Sequence, residues 1–400
     1  MVSKSSKHWL VLIVCCGLAA SSIGVSINSS GVFYTPVSTS LGIMRGTFSM
    51  HMTIFSLTTA IGALFIPRIM NKVSYKLLLT ISVVIAVVAT GLMAVTKSIP
   101  GFYLLGAIRG LSTGMFSIVP LTIIINNWFE KSHGLATSIV FGFSGLAGSI
   151  CSPILSSFIE NFGWQTGYLI KAAIILGLCL PAVLYPFHLD PQKDGCLPYG
   201  HVEQPQDMVT QVSNSFSFTT VAFISFFVFG LLCSCITSVT QHLPGYGQSL
   251  GYSAALGAML LSSGMVGNII SKLIIGVLSD HLGAIKATVT MIIANTVGII
   301  LLMWGSTAWL LIIGAFLFGS CYSIGAAALP LLTKYFFGID NYARVFPKIS
   351  FASNLGAAIS LSMVGYIYDF FGSYLYAFII ALAMIAVCVI TLTLTAKTKE

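Results

Sequence analysis

At 400 residues the chain is long enough for two or three soluble domains, yet its composition excludes them. The apolar set makes up 56% of it and Asp, Glu, Lys and Arg only 7%, against roughly a quarter in soluble domains. With a mean hydropathy of +0.97 and 38 glycines, residues frequent in membrane helices, an all-α polytopic membrane protein is expected. The net charge of +8 would point a soluble protein toward nucleic acid. In a bilayer the placement of the cations matters instead, and no nucleic-acid partner is expected.

Apolar runs near 20 residues, the length that crosses a ~30 Å hydrocarbon core, number twelve. They lie near 9–34, 47–68, 75–96, 101–125, 134–159, 164–186, 216–241, 252–278, 285–304, 307–332, 343–368 and 373–395. Helices are expected because backbone groups in lipid must be satisfied internally. The first run imitates a signal peptide, but it continues through Gly31 and Tyr34, beyond a signal's apolar region, and is read as a span. One long polar connection, 187–215, separates a six-span bundle at 1–186 from another at 216–400 and reads as a linker. With both termini on one side, that side holds Lys4, Lys7, Arg68, Lys72, Lys76, Lys131, Lys193, Lys286, Lys334, Arg344, Lys348, Lys397 and Lys399, and the other Arg45 and Lys97. This bias places both termini in the cytoplasm, in the plasma membrane of a bacterial cell.

The halves repeat. Residues 154–168 align with 363–377 at a shift of 209, pairing Glu160 with Asp369, Phe162 with Phe371 and Gly163 with Gly372. Gly62–Lys72 matches Gly276–Lys286 more loosely. Two pseudo-symmetric six-helix halves with substrate bound near the midplane is a transporter architecture.

Ionisable groups inside spans are costly and are functional candidates by default. All ten acids fall in loops or at span ends, whereas Arg109, Lys171 and Lys272 lie within spans 4, 6 and 8. An unpaired buried cation is expensive, and an anionic ligand completes the pair. Lys171 lies about 10 Å along a helix from Trp164 and is expected to snorkel to the outer surface. Arg109 has a structural alternative, holding neighbouring spans through backbone carbonyls beside Gly106, Gly110 and Gly114. Lys272 has a snorkelling alternative. Softer candidates are His51, expected as an interfacial histidine that titrates near neutral pH, and Tyr34 as a hydroxyl donor. Tyr322 and Asn354 sit mid-span, where bonds between helices explain them equally well. Gly142, Gly145, Gly148 and Pro153 form a packing and hinge segment. The nine cysteines show no metal spacing, and there is no Walker loop or paired carboxylate, so no cofactor, metal or enzymatic activity is expected.

These residues resemble the major facilitator superfamily over nearly the whole chain. Gly276-Val-Leu-Ser-Asp280-His-Leu-Gly283-Ala-Ile-Lys286 is similar to its loop signature, and Leu105-Gly-Ala-Ile-Arg109-Gly-Leu-Ser-Thr-Gly114 to its fourth-span motif. In the first half Ile66 stands where the loop's acid belongs. Gly31–Pro36 with Leu41–Ser49, Trp128–Ala136 and Phe162–Gln165 resemble the oxalate/formate and monocarboxylate transporters, whose pattern has Arg where this chain has His133. The resemblance implies a small organic anion carried by alternating access, with Lys272 meeting its carboxylate. Arg109, Tyr34, Tyr322, His51, Asn268 and Asn354 would assist, and Gly276, Asp280, Gly283 and Lys286 would form a gating loop. The monocarboxylate branch has an acid where Asn268 stands, and the oxalate branch has a second cation in span 11 that this chain lacks, which favours a monoanion. Proton symport and exchange with a counter-anion both remain open, and the chain is expected to work as a monomer. The alternatives are an exporter of neutral or cationic drugs, which a membrane acid would favour, and a non-transporting sensor, which an added soluble domain would favour.

Overall fold

The computed structural model describes residues 4–70, 72–130, 133–200, 218–304 and 307–398, and among them the only β pairing is one isolated bridge. Ten helical segments are long and apolar enough to cross a membrane. One of them, Leu135–Leu184, has 50 residues and is bent at Gly163 (φ 84°) into two arms. Arg45–Met70 (26 residues) is a further helix outside that set. Counting both arms and this helix, the described residues form twelve helical spans, as the apolar runs predict.

The chain divides into two compact units, Met1–Leu41 with Met50–Gln206, and Gly42–Ser49 with Asp207–Glu400. The internal repeat is visible in their turns. Gly163 and Gly372 both take positive φ (84° and 66°), a conformation that glycine adopts without a Cβ penalty. Gly42 and Gly251, separated by the same 209 residues, do so too (65° and 85°); each follows Ser-Leu and closes the first span of its half.

In unit 1, helix α1 (Lys4–Ala19) continues as a widened π-helical stretch, Ala20–Asn28, and a 3-10 turn, Ser30–Phe33. Its cause is local. The Ser29 and Ser30 hydroxyls donate to the carbonyls of Val25 and Ser26 (2.7 Å each), a back-bonding that loosens helices. Helix α2 (Tyr34–Leu41) completes the span. A Cβ on Gly24 would stand 2.7 Å from the Ser144 carbonyl oxygen, so the glycine lets this span press against α3 (His133–Leu184). The fourth span is two pieces, α4 (Ile99–Gly114) and α5 (Ile118–Trp128).

The division between the two units falls between Gln206 and Asp207, inside the expected linker, and the described part of that segment is not a free strand of chain. Residues 187–200 are built into unit 1. Tyr199 N–H donates to the Trp128 carbonyl (2.8 Å) and Glu130 N–H to the Tyr199 carbonyl (3.1 Å), while the Trp128 indole donates to the His188 carbonyl (3.0 Å). Asp194 accepts from Lys7 (3.1 Å) and contacts His188 Nδ1 (2.9 Å). Burial pushes the Asp194 carboxyl up, but its bonds to His188 and the Lys7 charge outweigh that and hold it below the usual range. Residues 201–215 of the expected linker, with Lys131 and Lys399, lie outside the described residues, as do the side chains of Lys4, Arg68 and Asp340.

Unit 2 is bound around one apolar core in which Phe226, Leu260, Ile299, Phe318 and Val345 are buried. Its seventh span breaks from α6 (Val221–Ser238) into a 3-10 turn, Val239–His242, and α7 (Leu243–Ser249). The tenth passes from α8 (Ala308–Phe318) through a π-helical turn, Ile324–Ala328. Between them runs α9 (Ala254–Leu282), ended by Gly283 at φ 82°. The last two spans are in α10 (Leu329–Phe371), bent at Gly338, and α11 (Leu375–Lys397).

Candidate functional site

In unit 1 the two cations inside spans are both turned inward. Lys171 is 1% exposed, its ammonium donating to Ser30 Oγ (2.8 Å) and standing 5.2 Å from the centre of the Phe33 ring. The expected snorkelling is therefore wrong. The widened helix around Ser30 brings a hydroxyl to the lysine, and the helix phase at 171 faces the bundle interior. Arg109 is also 1% exposed. One of its nitrogens donates to Met93 Sδ (3.3 Å), a weak acceptor, and Nη2 has no hydrogen-bond partner. Its face lies over Phe55 at 5.4 Å. The two charges stand within each other's field, with Tyr168 in that of Arg109. Among the described residues neither has an acidic partner.

The glycines around Arg109 explain its depth. A methyl on Gly106 would stand 2.6 Å from the His51 carbonyl oxygen, and one on Gly114 3.0 Å from that of Thr59; at Gly110 it would run into Thr58 and Phe55. Thr59 Oγ1 donates to the Gly110 carbonyl (3.0 Å). The helix carrying Arg109 thus touches its neighbour backbone to backbone. His51 is buried there beside Phe102 (6.3 Å between rings), so the interfacial expectation is replaced by a core position. Tyr34 is buried where α2 begins. Gly148 lies at the Gly24 contact, whereas a Cβ on Gly142 would meet nothing within 4 Å. Pro153 lies inside α3.

Unit 2 gathers a second polar group. Lys272 is half-buried on α9. One turn earlier, Asn268 is buried, with Oδ1 unpartnered. Gly319 permits this, since a Cβ there would stand 2.8 Å from the Asn268 nitrogen. The Tyr322 hydroxyl hydrogen-bonds the side chains of Gln241 and Thr240, and His242 Nε2 meets the Leu361 carbonyl (2.9 Å). Thr240, Gln241 and His242 were not anticipated. Their signal is a polar triplet at the end of the seventh apolar run, set where the helix breaks. Asn354 is exposed on α10 and its neighbour Ser353 makes the bond between helices, to Ser234 (2.5 Å). Asp280 and Lys286 are exposed on either side of the Gly283 turn, Gly276 a turn earlier.

Unit 2 also contains a half-buried arginine with partners at its backbone and its side chain. Asp369 accepts from the N–H groups of Arg45 (3.0 Å) and Gly46 (2.7 Å), at the first turn of the helix Arg45–Met70, where a carboxylate is favoured. Arg45 Nη1 donates to Tyr374 Oη (2.8 Å), and its guanidinium covers the Tyr368 ring at 3.9 Å.

A family model described as Major Facilitator Superfamily matches residues 14–271 and 222–400. Among curated proteins, the MFS-type transporter pynF of Aspergillus niger is 26% identical over 312 residues, 74% of this chain. The chain spans 66% of that relative's own length. Monocarboxylate transporter 4 of Mus musculus is 29% identical over 115 residues, 28% of this chain and 24% of that protein. Among solved structures, a bacterial homologue of the human lysosomal transporter Spinster superposes with a TM-score of 0.69 at 13% identity, covering 100% of this chain and 98% of that one.

Proposed function

The chain belongs to the Major Facilitator Superfamily, and we propose that it is a secondary transporter of a small organic anion, a monocarboxylate, working by alternating access. The observation that carries this reading is charge without countercharge. Arg109, Lys171 and Lys272 lie inside spans, and among the described residues the only ion pairs join Asp194 to Lys7 and His188. Substrate carboxylate is the group whose chemistry such a lining recognises. Likeness to a monocarboxylate transporter over part of the chain supports the same class.

Lys272 is the anchor, with Asn268 and Tyr322 on its own unit orienting the carboxylate; Arg109, Tyr34 and His51 are the candidate binding residues of unit 1. Asn354 offers an exposed amide. The glycine stretches at 106–114 and 142–148 and Pro153 serve packing and bending, and the Gly276–Lys286 loop steadies the helix ends it joins. Both termini lie in the cytoplasm and the bilayer is the plasma membrane, by the bias of basic residues.

The test is uptake into proteoliposomes of labelled formate, lactate, pyruvate and oxalate, with and without a pH gradient. Uptake of a monocarboxylate by the parent and its loss in Lys272→Gln is the expected result, and the pH arm reads the coupling. A variant that transports as well as the parent sinks the anchor; transport of a neutral solute alone sinks the substrate class.

A further inference from the structure

Arg109 and Lys171 have more donors than the neutral acceptors around them use, those acceptors being Met93 Sδ and Ser30 Oγ. Arg109 offers Nη2 with no partner. The Lys171 ammonium has three protons and one hydrogen-bonded oxygen, that of Ser30. Trp164, 5% exposed, carries an indole N–H with no acceptor; it precedes Tyr168 by one turn and Lys171 by two, on one face of α3. A buried donor left unmade is destabilising, and more so when charged. Two cations in each other's field compound this. A carboxylate is the usual remedy, and among the described residues neither cation has one. A ligand suited to these donors is acceptor-only, negatively charged and compact, since the rings of Phe33 and Phe55 already lie 5.2 and 5.4 Å from the two cationic groups and Phe33 packs on Tyr168.

We propose that unit 1 holds an anion seat of its own at Arg109 and Lys171, in which Lys171 is a binding residue for a compact monovalent anion. The anion is held by the free Arg109 nitrogen and the ammonium together, with Ser30 orienting the ammonium. The seat rests on the organic-anion reading only for the identity of its occupant as a carboxylate. A carboxylate group and a free halide share the acceptor-only chemistry that the seat selects.

The test uses the full chain in nanodiscs, in a zwitterionic buffer without chloride, with the thermal midpoint recorded against formate, lactate and chloride. Lys272→Gln, which removes the anchor proposed for unit 2, retains a saturable rise in midpoint, and adding Lys171→Met abolishes that rise. Lys171→Met alone unfolds at or above the parent's midpoint in the absence of anion, because an isosteric apolar chain replaces an unpaired charge. Ser30→Ala removes the hydroxyl that orients the ammonium and reduces the rise. A rise with formate and lactate but not with chloride assigns the seat to the substrate's carboxylate; a rise with all three assigns it to compact anions generally. No anion response in Lys272→Gln overturns the seat, as does a full response in the double variant or an unchanged one in Ser30→Ala. Retained response without any carboxylate uptake in proteoliposomes sinks the transport reading and leaves the seat standing. Uptake with no response does the reverse.

Discussion

Two arginines in this chain show what a membrane protein does with a cation. Arg45 is half-buried and has partners at both its backbone and its side chain: Asp369 accepts from its backbone N–H, Tyr374 accepts from its guanidinium, and a tyrosine ring lies beneath it. Arg109 has a thioether, the face of Phe55, and one nitrogen with nothing to bond. The first arrangement needs nothing more and is structural. The second is an incomplete pair, and incompleteness in a low-dielectric interior is tolerable only where something arrives to finish it.

Breaking the supplied side has the largest expected effect. Asp369→Ala leaves two helix N-terminal N–H groups without their charged acceptor, a loss of about 3 kcal/mol at ~1.5–3 for each bond to a charged group. Asp369→Asn, which keeps an acceptor, loses about half as much, and denaturant unfolding of the purified protein reads both. An unchanged midpoint in Asp369→Ala would falsify the structural assignment of this cluster. Next comes the packing under Arg109. Gly110→Ala forces a methyl into Thr58 and Phe55 and destabilises by about 1–3 kcal/mol, read in the same unfolding assay. A helix glycine with open space where its Cβ would stand, such as Gly142, shows no such loss.

Arg109→Met is expected to move stability and function in opposite directions. It removes a half-bonded buried charge, so the empty protein is equally stable or gains about 1 kcal/mol, while anion uptake falls. A joint loss of both would make Arg109 a structural residue like Arg45. The smallest effect belongs to the segment 187–200. Asp194→Asn weakens its hold on Lys7 and His188 by about 1 kcal/mol or less, read as faster proteolysis near residue 195. Because the folded Asp194 carboxyl lies below its free value, its contribution is complete above about pH 4. It disappears as pH falls further through the folded value. In the parent, therefore, proteolysis there accelerates only in acid.

The spans, the two halves and the turn glycines Gly163 and Gly372 are legible in the sequence because apolar run length and the need for positive φ leave direct marks. The second glycine pair, Gly42 and Gly251, carries the same mark in a three-residue match that is too short to stand out. The direction of Lys171 is not legible. A lysine seven residues from a helix end reaches either outward or inward, and the choice is made by Ser30, 141 positions away. Thr240, Gln241 and His242 are visible as polar residues, and Pro244, which has no N–H to offer the Thr240 carbonyl, marks the helix break beside them. The docking of 187–200 rests on backbone hydrogen bonds from an aperiodic segment, and those have no residue signature. Asn268 shows the converse case, since its buried position follows from Gly319 on another span.

The central claim is that this protein recognises a negative charge with cations that, among the described residues, have no acidic partner. It is tested most directly by pairing a carboxylate with its neutral amide, lactate against lactamide, as competitors for labelled monocarboxylate uptake in proteoliposomes. Lactate competes fully and lactamide fails to compete, if Arg109, Lys171 and Lys272 are what the substrate meets. Equal competition by the two would show that the charge is not read, and the account would be wrong.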